Sequence, residues 1–110
     1  MVRTRLRAAA ATWVGERQYA VGKHCVRFGW YADAVKAFEA AEGWYTQNYG
    51  SLHPYVAAAL MRQGWCNAKL GRLGASCRAY DRALQIIEAT EGPVHPKARE
   101  IRDYLAAVCG

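Results

Sequence analysis

Residues 54–92, PYVAAALMRQGWCNAKLGRLGASCRAYDRALQIIEATEG, decide the fold. The stretch opens on Pro54, and a helix loses nothing by starting on a residue that lacks an N–H. Apolar residues then recur at helical spacing as far as Leu70. Gly71 supplies a stop, because glycine accepts the left-handed turn that ends many helices. A second helix starts near Leu73, with Leu73, Cys77, Tyr80, Leu84 and Ile87 on one stripe, and runs to Gly92. The segment therefore reads as two helices joined by a tight turn. No alternating strand pattern occurs here or elsewhere, so the expected class is all-α.

Outward from this stretch the same pattern repeats. Gly50 and Gly92, His53 and His95, Pro54 and Pro96, Gly22 and Gly64, and Gly29 and Gly71 each lie 42 residues apart. Phe38 pairs with Tyr80, Ala41 with Ala83, Tyr31 with Leu73 and Ala34 with Ser76 in the same register, and Val21 with Gln63 is the weakest pair. A fixed period of this size marks a stacked helical repeat. One helix is expected over roughly 11–28 and its partner over roughly 31–49, with Tyr31, Val35, Phe38, Ala41 and Tyr45 on one stripe. A last helix, about 97–109, carries Ile101, Tyr104, Leu105 and Val108. The expected organisation is a basic N-terminal extension of the first helix over 1–10 and one domain over 11–110, divided into 11–52, 53–94 and a trailing or capping helix over 95–110.

Gly22 and Gly64 fall inside helices, where glycine costs about 1 kcal/mol against alanine. Close approach explains them: Phe38 and Tyr80, on the partner helices, need a bare backbone to lie against.

With Gly15 counted as the first position of a unit, the chain resembles the tetratricopeptide repeat. Gly22 and Gly64 stand at the eighth position, Gly29 and Gly71 at the fifteenth, Tyr31 and Leu73 at the seventeenth, Ala34 and Ser76 at the twentieth, Phe38 and Tyr80 at the twenty-fourth, and Ala41 and Ala83 at the twenty-seventh. Gln18 departs from the large apolar residue usual at the fourth position, which Leu60 keeps, and the usual proline near the unit's end is absent. The 42-residue unit with Gly-x-x-His-Pro joints resembles the kinesin light chain type. The resemblance implies antiparallel helix pairs in a short right-handed solenoid of about five helices, acting as a protein-binding scaffold. The stretch 83–92 with His95-Pro96, and 49–54 before the helix bearing Gly64, also resembles the C-terminal helical domain of SET- and MYND-containing lysine methyltransferases. That likeness implies, as the alternative, a regulatory domain of such an enzyme, since its cofactor loop, zinc ligands and catalytic tyrosine context do not occur.

Composition fits a folded domain: 53% hydrophobic and 22% charged in 110 residues. The net charge is +6, but residues 1–27 hold Arg3, Arg5, Arg7, Arg17, Lys23 and Arg27 against Glu16 alone, so +5 of it lies there. A basic end can meet nucleic acid, an anionic membrane or an acidic peptide, yet a solvated first helix is the expected reading, and no nucleic-acid partner is expected. The start MVRTRLRAAAATW has the arginine-rich, acid-free character of a mitochondrial presequence, and no secretory signal is read. No run of about 18 apolar residues occurs, so no membrane partner is expected. An intracellular, cytoplasmic setting follows as the expectation, with Cys25, Cys66, Cys77 and Cys109 reduced.

Catalytic chemistry finds little to use. His24 and Cys25 are adjacent, so on a helix they diverge, and no four-ligand zinc spacing surrounds them. His53 and His95 precede helix-opening prolines, which suits capping. Asp33, Glu39 and Glu42 are scattered surface acids rather than an acid/base pair. No enzyme, metal or cofactor is expected.

What remains is a surface. In the resembled family the first helix of each unit lines a groove. Carried over, it offers Glu16, Tyr19, Lys23, Val26 and Arg27, then Ala58, Met61, Arg62, Trp65, Ala68 and Lys69, then Glu100, Asp103, Tyr104 and Ala107. The candidate partner-binding residues are Tyr19, Lys23, Arg27, Met61, Arg62, Trp65, Lys69 and Tyr104, suited to a partner with acidic and apolar groups. The alternative is that Trp65 and Tyr19 only pack between helices. Ile101, Leu105 and Val108 look like more apolar surface than one packing face needs, which points to self-association or a larger complex at that end.

Overall fold

In the computed structural model the backbone is described from Val2 to Gly110 and the side chains from Trp13 onward. Five α-helices follow one another: α1 Val2–Arg27, α2 Tyr31–Tyr49, α3 Pro54–Lys69, α4 Leu73–Glu91 and α5 Pro96–Cys109. Each packs broadly against its neighbours in sequence, α1 on α2, α2 on α3, α3 on α4 and α4 on α5. The result is an all-α stack of helix pairs, a short helical solenoid. Among the described residues no helix is long and apolar enough to cross a membrane. The expected side-chain roles of Arg3, Arg5 and Arg7 lie outside the described side chains.

The 42-residue repeat is a repeat of geometry. At Gly29 and Gly71 φ is 77° and 74°, and each closes the same pair of bonds. The Trp30 N–H donates to the Cys25 carbonyl at 2.9 Å and that of Arg72 to Asn67 at 2.8 Å, while Gly29 donates to Val26 and Gly71 to Ala68, each at 3.0 Å. These are Schellman ends, which satisfy carbonyls the helix leaves open. Each following joint ends in a histidine cap. His53 Nδ1 accepts from the Tyr55 N–H and His95 Nδ1 from the Lys97 N–H, both at 3.1 Å, with proline beginning the helix. The capping role expected of both histidines is the observed one.

The helical glycines are where two helices touch. A Cβ on Gly22 would lie 2.6 Å from Phe38, and one on Gly64 would lie 2.9 Å from Tyr80. Both rings are fully buried. Gly15 does the same for Tyr45, at 2.7 Å, a contact that the repeat does not announce because Ala57 and Ile87 hold the equivalent positions. Ser76 adds a buried hydrogen bond, its Oγ donating to the Gly64 carbonyl at 2.7 Å.

Three expectations need correction. The core face of α4 is carried by Ala79, Tyr80, Ala83, Ile86 and Ile87, so Leu73, first on the expected stripe, sits at its margin and is exposed. On α5 the residues taken as surplus are not surplus. Ala98 and Ile101 are buried in the core that holds Tyr80 and Ile87, and Leu105 and Val108 pack against it. The exposed face carries Arg99, Arg102 and Ala106 instead. Nor are all four cysteines reduced: Cys77 on α4 and Cys109 at the end of α5 form a disulfide, leaving Cys25 and Cys66 free. No CxxC spacing announced that pair, because α5 folds back on α4 and brings together residues 32 apart.

Candidate partner-binding cleft

The odd-numbered helices lie side by side and enclose a cleft of about 350 Å³. Tyr19 and Val26 come from α1, Ala58, Met61, Arg62 and Trp65 from α3, and Lys97, Glu100 and Tyr104 from α5, with Tyr80 of α4 reaching in from below. Steps of three and four residues put each set on one helix face.

Rings form the floor and fix one another. Tyr19 meets Phe38 edge-on with centroids 5.2 Å apart. Trp65 meets Tyr31 edge-on at 5.7 Å, and Tyr104 stacks on Tyr80 at 5.1 Å and 9° between planes. The two readings of Tyr19 and Trp65 are thus not exclusive, since each is half-buried in packing and still lines the cleft.

Charge is set on this floor. Arg62 Nε donates to the Tyr19 hydroxyl at 3.0 Å, and its guanidinium carbon is 5.8 Å from that ring's centroid. One arginine face is therefore held, and its terminal nitrogens stay available. Lys69 Nζ stands 5.0 Å from the Trp65 centroid, within cation–π range. Across the cleft the Tyr104 hydroxyl donates to Glu100 at 3.3 Å. Burial, with the nearby Glu100 charge, raises the Tyr104 pKa, and Arg62 opposes the shift. Burial also pushes the Tyr80 phenol well up. Both phenols stay protonated at neutral pH, and that of Tyr104 acts as a hydrogen-bond donor rather than a base.

Away from the cleft, Arg82 pairs with Glu42 at 3.1 Å and Arg102 with Glu88 at 3.5 Å. Gln63 also donates to Glu42, at 2.8 Å. Among the described residues, Arg62, Lys69 and Lys97 have no carboxylate at ion-pair distance.

Of the eight residues expected from the sequence, Tyr19, Met61, Arg62, Trp65 and Tyr104 line the cleft, and Lys69 stands against Trp65. Lys23 and Arg27 instead line a separate hollow of about 240 Å³ with Ala20 and His24, although Lys23 Nζ approaches the Tyr19 ring to 6.0 Å. Glu16, Ala68, Asp103 and Ala107, also carried over, do not line the cleft. Tyr80 and Lys97 were missed. Tyr80 reads as core, and it is both core and floor. Lys97 shares a face with Glu100 and Tyr104 by spacing alone, which is the signal that would have found it. Among the described residues no group of three or more His, Cys, Asp or Glu side chains is gathered to hold a metal ion.

No family model matches this chain, and no curated protein matches it.

Proposed function

We propose that the chain is a protein-interaction module of the tetratricopeptide-like kind, without catalysis of its own, whose cleft receives a partner segment bearing carboxylate and apolar side chains. One observation carries this: Arg62 and Lys69 stand against the Tyr19 and Trp65 rings with no carboxylate at ion-pair distance, and Lys97 lines the same cleft. A partner's carboxylates supply what the fold leaves out. Arginine, tryptophan and tyrosine are also the side chains that most often dominate interface energies. A cleft of about 350 Å³ admits one or two anchoring side chains rather than a whole helix.

The test is selection from a displayed library of random peptides. The wild-type chain should enrich peptides that place Asp or Glu beside an apolar residue. The triple variant Arg62→Glu, Trp65→Ala, Lys69→Glu should lose them, and binding should weaken with salt because the attraction is partly ionic. Peptides that bind both proteins equally would move the site off this face.

A further inference from the structure

We propose that the Cys77–Cys109 disulfide is a redox latch that determines whether α5 closes the cleft, a role that rests on the binding reading of that cleft. α5 is the shortest helix, 14 residues, and packs broadly on α4 alone. A helix of that length is marginal in water unless something holds it. Its first turn is held by the His95 cap and the short link from α4. Its last turn ends in the bond to Cys77. Between these two anchors lie Lys97, Glu100 and Tyr104, the whole α5 wall of the cleft.

The repeat shows why the bond falls here. The residue 42 before Cys109 is Asn67, in α3, and α3 packs broadly against both α2 and α4. The cross-link occurs on the copy of that helix that lacks a second neighbour. Access is also suitable. Cys109 is exposed and Cys77 half-buried, so a thiol can reach the bond. Cys66 is buried and its thiol is pushed up to about 11 by desolvation, so it stays protonated and does not compete.

Opening needs a dithiol reductant. Its thiolate attacks Cys109 Sγ, the Sγ–Sγ bond breaks, and Cys77 leaves as a thiolate that takes up a proton. The second reductant thiol attacks the mixed disulfide and releases Cys109 as a thiol. The reductant ends as a disulfide, and two electrons and two protons have passed to the protein. A disulfide oxidant runs the exchange backward. Once open, the last turns of α5 fray, Tyr104 leaves the face of Tyr80, and one wall of the cleft is lost.

Hydrogen exchange on the full chain, oxidised and then treated with dithiothreitol, reads the latch directly. Reduction should speed exchange at least tenfold over 101–109 and leave α2 and α3 unchanged, and Cys77→Ser without reductant should behave as the reduced wild type. Should that variant not fold, the reduced wild type carries the comparison. Equal exchange in both states would overturn the latch. So would loss of protection through all described helices, which marks a general staple, and so would four titratable thiols in the unreduced, unfolded chain. A library-selected peptide supplies the second readout, with at least tenfold weaker affinity after reduction. If Arg62→Glu abolishes that affinity and reduction changes neither affinity nor exchange, the latch fails and the site stands. If reduction frees α5 and Arg62→Glu leaves affinity intact, the latch stands and the site fails.

Discussion

α3 and α5 hold the same place in the 42-residue register, and each opens with a histidine cap and a proline. From there they part. α3 carries Ala57, Leu60 and Gly64, all buried, and Gly64 takes the face of Tyr80. At the matching positions α5 carries Arg99, Arg102 and Ala106, all exposed. The first set receives α4 and the second stays open to solvent. Local signals thus say that a helix begins, whereas the far faces of the two helices differ in what they bury. The other edge is similar: Arg17 and His24 of α1 are exposed where α3 has buried Ala59 and Cys66.

The sharpest way to break this contrast is to open the disulfide by substitution. Cys77→Ser should lower the free energy for opening α5, read by hydrogen exchange over 101–109, by about 3–4 kcal/mol if loop-closure entropy sets the scale for residues 32 apart, with α2 and α3 unchanged. Leu60→Ala should cost about 3–4 kcal/mol, because a residue packed between two helices leaves a cavity that cannot collapse. Ile101→Ala, with a neighbour on one side only, should fall nearer 2 kcal/mol. Urea unfolding of the two variants measures the difference, and equal losses would mean that α5 is as enclosed as α3.

Alkali separates the two units next. Burial, with Glu16 adding to it, pushes the Tyr45 phenol up to about 12, while the equivalent residue is Ile87, which does not titrate. The neutral phenol is the form that the fold favours. Its contribution is complete below the ordinary tyrosine value near pH 10 and is lost as pH rises through 12, on the order of 2 kcal/mol in all. Tyr45→Phe should flatten the alkaline unfolding curve over that window, and an unchanged slope would assign the loss to other phenols. The smallest effect is at the caps. His53→Ala and His95→Ala should each cost about 1 kcal/mol, and the second should speed exchange only at the start of α5.

The helices and their turns were legible because they rest on local chemistry. Gly29, Gly71, Pro54, Pro96 and the two capping histidines each act within a few residues of themselves. The close approaches at Gly22 and Gly64 were legible because the period sets an aromatic residue on each partner helix. What could not be read depends on rotation and distance. Leu73 keeps the helical step and still misses the core, since α4 turns Ala83 and Ile86 inward. Leu105 and Val108 look superfluous until α5 is seen lying on α4. In the cleft, Arg62 and Trp65 were legible from the face they share, but the Tyr19–Arg62 bond joins residues 43 apart. Lys23 and Arg27 share a helix with Tyr19 and nonetheless point to their own hollow.

One feature reaches beyond affinity and stability. Because the helices pack chiefly on their sequence neighbours, a chain drawn out by its two ends should peel one helix after another. The oxidised chain cannot give up what lies between Cys77 and Cys109. Full extension then falls short by about 100 Å, from 32 residues at about 3.4 Å each less the 5.7 Å between the bridged Cα atoms. In a force trace, α5 and most of α4 would add length only after a reductant has entered. The fold would thus have one portion that yields to tension alone and another that yields only to tension after a chemical signal.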